Sequence, residues 1–585
     1  MVNQKLKHCR EIMEKLGATA LFVPTSDPHG SEFIGPSYQL RQFLSDFTGS
    51  AGSLLILKDK AYLWTDGRYY LQAKQQLANN GIELMKDGMP NVPTVYSYIA
   101  ENLREEDVLA YNPLHVSIEQ AWYFSKTKAS ILARTDIDQL IWPQKPEPTY
   151  NEIYDYPITY CGAAYKFKIE QVRFAMSKAG CQYYLVSHLD ENAWLFNLRG
   201  SDLEQTPVFY SFSLITPNSV ILFVNTKKLK SQNLCRKSVI IKEYDEVWEH
   251  LEGLRNANIF MDPATCCHLA YMKLHPSCTP VFKSSIIDEL KAIKNHVEQR
   301  QMKEAAVDDG LAVSKVLMEL EKQTPTNLTD EFSISQRLLE ERGKIKDFKS
   351  VSFDTIAGFK ENGAIIHYQP PKANSKKLEG SGLVLIDSGG QYLRGTTDIT
   401  RTVPLGEITE EMVRCYTAVL AAHLALFSHK FPYGTLGREL DEICRNRLAE
   451  FGYSYAHGTG HGFGHFLSVH EGPHGFSRGV NGQHEILPGS CTTIEPGVYL
   501  EGKLGIRLEN QVLCRADSDM ENTLCLEAIT LCPWERRLID PALLKDQELE
   551  ALNQYHEQVR TKLLAATDDP ALIQWITDKC KPIYK

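Results

Sequence analysis

Four carboxylates and one imidazole carry the chemistry this sequence could perform: Asp387, Asp398, Glu495, Glu509 and His461. Each lies in or beside an apolar run with a Gly or Pro turn nearby, which is unusual company for a charged residue. Two carboxylates placed together repel unless a proton or a cation sits between them. Hard oxygen donors with a single nitrogen suit Mn²⁺ or a similar divalent ion better than a thiolate-rich structural zinc site. Four carboxylates exceed what one divalent cation needs for neutrality. Two ions sharing two bridging carboxylates would balance them, and that arrangement serves hydrolysis.

The elements that must position these groups are legible nearby. Leu383 to Ile386 is a short, branched apolar run bounded by Gly, so it reads as a buried strand that delivers Asp387 into the turn Ser388-Gly389-Gly390. The chain returns through Tyr392, Leu393 and a Thr-rich segment to Asp398, eleven positions after Asp387, and a hairpin would bring both to one end of a sheet. Ala456 to Phe476 holds five histidines and six glycines. A lone His is ordinarily a satisfied or solvent-facing residue, but five in one Gly-rich span is a different matter. His457, His461 and His465 recur every four positions, yet the glycines between them disfavour a helix and favour an extended chain. In that geometry His457 and His461 face the same way. Cys491 to Tyr499 reads as a strand ending in Glu495, and Gly505 to Val512 as a strand with Arg507 and Glu509 on one polar face.

The composition is that of an ordinary globular chain. At 585 residues, 43% hydrophobic and 23% charged, it has room for roughly three or four domains. A formal charge of -10 and the lack of any long Lys/Arg run exclude a nucleic-acid partner. The 14 cysteines are scattered without CxxC spacing, pointing to buried thiols in a reducing compartment. The opening residues carry acidic groups at helical periodicity, unlike a signal peptide, and no apolar run approaches the roughly 18 residues needed to span a bilayer. The expectation is a soluble, cytoplasmic protein with no membrane partner. The Asn327-Leu328-Thr329 sequon would be idle there.

Along the chain, a helix near Lys5 to Leu16 leads into ALFVP and further strand-like runs, an α/β pattern. The segment Trp142 to Pro148 breaks both helix and central strand and is the expected linker. A second unit repeats the order of the first, with a helix around Phe167 to Ala179 and then CQYYLVS, so two copies of one α/β domain are expected. From about Ile287 a long amphipathic stretch, one or two helices, opens the third domain. The aromatics of WTDGRYY and ENAWLFN read as core or interface.

The series Asp387, Asp398, His461, Glu495 and Glu509, with HGTGHG and VHEGP between, resembles the pita-bread metallopeptidases. Within that family FTGSAG, WTDGRYYLQA, WLFNLRGSD, SFDTIAGFKENGAIIHY and TTDITRT resemble the aminopeptidase P branch over nearly the whole chain. The resemblance implies an α/β (α+β) protein of three domains: creatinase-like domains at 1–146 and 147–286, and a pita-bread catalytic domain with a C-terminal extension at 287–585. It implies two Mn²⁺ or other divalent metals held by the five residues named, with Asp398 and Glu509 bridging. It also places His367, His457 and His470 at substrate-contacting positions and Arg507 behind the ligands, with Glu495 taking part as general base. The implied substrates are peptides with Pro at the second position, and the implied assembly is a homodimer. One departure is visible, because Lys360 and Glu361 stand where the family pattern has Gly-Pro. Two rival readings are a prolidase-type dipeptidase, against which the doubled N-terminal unit argues, and a non-catalytic protein-binding relative, against which all five ligand positions argue.

Overall fold

The computed structural model describes residues 4–148, 151–229, 238–322 and 328–585, so Asn327 of the sequon lies outside the described residues. The chain divides into two compact units. The first takes Met1–Pro157, Ala163–Leu203 and Pro207–Ile287, and the second takes Ile158–Gly162, Glu204–Thr206 and Asp288–Lys585. Both expected N-terminal copies therefore fall within one unit. Among the described residues no helix is long and apolar enough to cross a membrane.

The first unit opens with helix α1 (Gln4–Leu16), whose Leu6, Cys9, Ile12 and Met13 are buried at helical spacing. It contains β1 (Ala20–Pro24), β2 (Ser53–Leu57), β3 (Ala61–Thr65), β4 (Glu83–Lys86), β5 (Val108–Tyr111) and β6 (Ser130–Ala133), in sheet order β4-β3-β2-β1-β5-β6. After the irregular Pro-rich segment comes α2 (Tyr165–Lys178), then β7 (Tyr183–Val186), β8 (Ser211–Ile215), β9 (Val220–Val224), β10 (Ile240–Lys242), β11 (Asn258–Met261) and β12 (Thr279–Phe282). Their order, β10-β9-β8-β7-β11-β12, is the first sheet's order moved on by six strands. In both sheets the first strand pairs antiparallel with the second and parallel with the fifth. Trp64 and Tyr69 of the first copy and Trp194 and Phe196 of the second are buried core residues.

The amphipathic stretch is two helices, α3 (Ile286–Ala292), which runs across the boundary at Ile287, and α4 (His296–Lys322) in the second unit. Helix α5 (Glu331–Gly343) starts at Asp330, whose carboxylate caps Ser333 N while Ser333 answers with its hydroxyl. Helix α6 (Glu410–Phe427) is capped by Thr409 and has two glutamates in its first turn, where the helix dipole favours them. Helices α7 (Gly437–Ala449), α8 (Asp546–Leu564) and α9 (Pro570–Lys579) complete the outer layer. Strands β13 (Ile356–Phe359), β14 (Gly382–Ser388) and β15 (Ile399–Leu405) form one antiparallel sheet, and every residue of β14 is buried. A six-stranded sheet contains β16 (Gly460–Gly462), β17 (Glu471–Phe476), β18 (Cys491–Ile494), β21 (Asn510–Ala516) and β22 (Thr523–Ala528). A separate ribbon pairs β19 (Gly497–Leu500) with β20 (Leu504–Arg507). One continuous core joins residues of α4, α6 and β14 to Leu552 and Tyr555 of α8 and Ile576 of α9.

Two local expectations need correction. The link between Asp387 and Asp398 is not a simple hairpin, because Gly390–Tyr392 leaves the sheet to lie between Phe348–Val351 and Gly395–Thr396 in a small sheet of its own. Gly505 to Val512 is not one strand either. It breaks at Leu508 and Glu509, where Leu508 N donates to Pro496 O (3.3 Å) and Glu509 N to Thr400 O (3.1 Å), so the chain passes from the ribbon to the six-stranded sheet.

Candidate metal centre

Asp387 and Asp398 arrive on neighbouring strand ends, since β14 and β15 pair Asp387 with Thr400 and Ser388 with Ile399. Glu495 follows β18 directly and is tied by its N–H to Thr459 O (2.7 Å). Glu509 sits at the corner between β20 and β21, its Oε2 accepting from Thr400 Oγ1 (2.8 Å). His461 lies on β16, where Gly460 and Gly462 pack so closely that an added Cβ would overlap the carbonyls of Thr493 and Glu471. Those glycines let the histidine strand press against its neighbours, which bulkier residues would prevent.

Asp398, His461 and Glu509 each offer a ligand atom within 4.8 Å of the others. His461 Nδ1 lies 3.0 Å from Gly462 O, so that nitrogen donates and Nε2 is left facing Asp398 (3.4 Å) and Glu495 (3.6 Å). This is the tautomer a ligating imidazole requires. Asp387 Oδ2 accepts from Arg507 Nη2 (2.6 Å) and Nε (3.2 Å), while its Oδ1 is buried without a hydrogen-bond partner. The side chains of His461 and Glu495 remain 18% and 19% exposed, so they mark the open side of the cluster.

The electrostatics point the same way. Burial, opposed by Arg507 and reinforced by Asp398, raises the Asp387 carboxyl. Burial, opposed mainly by His461, pushes Glu495 up to about 7. Burial beside Asp398, Asp387 and Glu495 puts Glu509 well above the usual carboxylate range. His461 behaves oppositely: burial pulls it down, but Asp398 and Glu495 carry it to about 9. Protons are thus retained where carboxylates crowd, and divalent cations would release them. An orphaned carboxylate oxygen, an oriented imidazole and a set of oxygen donors fit a pair of hard divalent ions.

The histidines around this cluster differ in their engagement. The His470 ring stands edge-on to His461 with centroids 4.2 Å apart. His367 is half-buried, and the carbonyl of its neighbour Ile366 accepts from Arg507 Nη2 (3.2 Å). His457 donates from Nδ1 to Gly458 O (2.7 Å), and its Nε2 meets Tyr499 OH (2.8 Å). Tyr499 OH also accepts from Arg507 Nη1 (2.9 Å), giving a continuous run from Asp387 through Arg507 and Tyr499 to His457. Tyr499 and Thr400 are the residues that inspection of the sequence missed. Lys360 and Glu361 turn elsewhere: Lys360 Nζ donates to Glu379 O (3.1 Å), and Glu361 pairs with Lys376 (2.5 Å). Lys360 adopts φ 56°, the left-handed conformation that glycine takes without strain.

With this geometry in hand, the comparisons with known proteins are specific. Residues 300–516 match the model of metallopeptidase family M24, and residues 522–583 match its C-terminal region. Residues 5–143 and 144–298 match two models of the creatinase/prolidase N-terminal domain. A probable Xaa-Pro aminopeptidase P of Laccaria bicolor is 35% identical, with 99% of this chain and 93% of the relative covered. This chain belongs to metallopeptidase family M24. Among solved structures, the X-prolyl aminopeptidase of Caenorhabditis elegans, described as a cytosolic enzyme with a di-nuclear active site, superposes with a TM-score of 0.94 at 28% identity over 99% of both chains. The Xaa-Pro dipeptidase of Bacillus anthracis, 24% identical with a TM-score of 0.51, shares the fold, and 99% of it covers only 63% of this M24 chain.

Proposed function

We propose that this M24 enzyme is an aminopeptidase that hydrolyses the first peptide bond of peptides whose second residue is proline. The observation that carries the reading is the grouping of Asp398 and Glu509 with the oriented His461, flanked by Asp387 and Glu495, in a chain similar over its full length to Xaa-Pro aminopeptidases. Asp387, Asp398, His461, Glu495 and Glu509 would hold two divalent ions, with Asp398 and Glu509 shared between them. When bound, such ions would supply Lewis acidity and lower the pKa of the attacking water toward the neutral range.

The remaining steps belong to the chain's own side chains. Glu495, on the open side, takes the proton of the attacking water. Asp387, fixed by Arg507, is placed to receive the substrate's free α-amine, which sets the cut one residue from the end. His470 and His367 donate to the carbonyl oxygen as negative charge develops there, a role often worth about 3 kcal/mol per donor. His457 is oriented through Tyr499, and Arg507 links both arms. Proline makes the scissile bond a tertiary amide with no N–H, so these groups grip the amine and the carbonyl.

On this reading residues 1–146 and 147–286 are the two creatinase-like domains and 287–585 the catalytic domain. A cytoplasmic location, Mn²⁺ as the metal and a homodimer belong to the same proposal. It is supported by the resemblance, by buried cysteines such as Cys266 and Cys491 that remain unpaired, and by the cytosolic description of the nematode enzyme. Metal analysis of the purified protein, light scattering, and an assay of Arg-Pro-Pro against the dipeptide Gly-Pro test it. Cleavage of the dipeptide alone would replace this reading with the prolidase one.

A further inference from the structure

Arg401 is a buried cation, 2% exposed, three residues beyond Asp398. A charge enclosed this way is tolerated only when its donors are satisfied. Its guanidinium is met by oxygens from two directions. On one side, Nη1 donates to Glu509 O (2.6 Å) and Nη2 to Asn510 Oδ1 (2.9 Å), so the fork grips the corner that presents Glu509. On the other, the C-terminal segment supplies Pro533 O (3.2 Å), Cys532 O (2.7 Å) and Tyr555 OH (3.0 Å). The Trp534 ring stacks over the guanidinium, 3.7 Å from ring centroid to Cζ. A planar five-donor fork can serve this many acceptors at once, and a lysine cannot.

We propose that Arg401 is a positioning residue for the metal centre, and that the C-terminal segment 522–583 supports metal binding through it. The proposal rests on the reading of Asp398 and Glu509 as shared ligands. Both carboxylates leave the backbone beside bonds this guanidinium makes or spans: Asp398 just before β15, which carries Arg401, and Glu509 at the gripped corner. The two strands meet here through side chain as well, by Thr400 Oγ1 to Glu509 Oε2. Loosening the fork changes the separation of the two ligands without removing either one. The segment matching the C-terminal region of the family thus acts as the wall against which one side of the centre is braced, while Arg507 braces the Asp387 side.

The test is a titration of chelator-treated protein with MnCl₂ by calorimetry, with thermal melts in parallel. Arg401→Lys keeps the charge and loses the fork, and its Mn²⁺ affinity is expected to fall about 10- to 100-fold, as for other groups that orient metal ligands. Its kcat should recover at saturating Mn²⁺, since no reacting group is lost. Tyr555→Phe removes one acceptor and should weaken binding in the same direction by about threefold, which keeps the test open if Arg401→Lys does not fold. Leu563→Ala, eight positions beyond Tyr555 in helix α8 and without a hydrogen-bonding side chain, should lower the melting temperature and leave the titration unchanged. A wild-type titration curve for a folded Arg401→Lys or for Tyr555→Phe overturns the proposal, as does equal weakening by Leu563→Ala. Wild-type protein that takes up no Mn²⁺, Co²⁺ or Zn²⁺ overturns the ligand reading, and this inference with it.

Discussion

His29 is fully buried and His461 mostly so, yet their surroundings drive one imidazole toward neutrality and the other toward charge. His29 in the first unit is fully buried, with Nδ1 2.8 Å from Ser187 O and Nε2 2.7 Å from Tyr244 OH. Burial lowers it to about 4, and Asp27 opposes only in part. His461 suffers the same penalty, but Asp398 and Glu495 overcome it and raise it to about 9. Burial alone therefore does not mark a functional histidine. What separates the two is what faces the ring nitrogens: His29 meets a carbonyl and a phenol, with Asp27 alone opposing its burial, whereas Asp398 and Glu495 both face His461 Nε2.

The strongest way to break this contrast is to remove one of those carboxylates. Asp398→Ala should cost at least about a thousand-fold in kcat/KM, equivalent to roughly 4 kcal/mol of transition-state stabilisation, and should lose metal in the same preparation. A variant with both metals and full activity would refute the shared-ligand assignment. His470 sharpens the contrast from another side, because it is proposed as a donor and not a ligand. His470→Ala should lower kcat by about 10²- to 10³-fold with metal content unchanged; loss of metal instead would move it into the ligand set.

The two histidines should also titrate with opposite signs. His29, lowered from 6.5 to about 4, contributes stability that is present above pH 6.5 and lost as pH falls through 4. His461, raised from 6.5 to about 9, contributes stability in the metal-free protein that is present below pH 6.5 and lost as pH rises through 9. Each swing is worth roughly 3 kcal/mol. Melting temperatures of chelated His29→Gln and His461→Gln, followed against pH, should diverge from wild type at opposite ends of the range. Divergence at the same end would erase the distinction. The smallest effect expected is for Tyr499→Phe, which removes one hydroxyl between Arg507 and His457 and should cost about tenfold or less in kcat/KM.

Much of this site was legible because its proposed ligands interrupt apolar runs. Leu383 to Ile386 announced a buried strand, and the interleaved glycines announced an extended chain at His461. Tyr499 and Arg401 gave no such signal, since an aromatic or an arginine in a strand looks like ordinary core or surface until its partners are known, and those partners lie far away in sequence. The corner at Glu509 was misread as a continuous strand because alternation persists across Leu508, while the break is imposed by Thr400 of β15 and by Pro496 between β18 and β19. Lys360 shows the limit of motif matching. At this departure from the family pattern Lys360 holds a left-handed φ of 56°, and its side chain is bonded at Glu379.

That Glu509 stands at a corner between separate sheets has a kinetic corollary. Its tie to Thr400 spans 109 positions of chain, so no local hairpin can assemble this centre. The loop closures must come first, and their entropy is lost before any cation can repay it. Metal capture in this protein is then an event of the nearly finished chain, and retained metal is a certificate that distant strands have met in register.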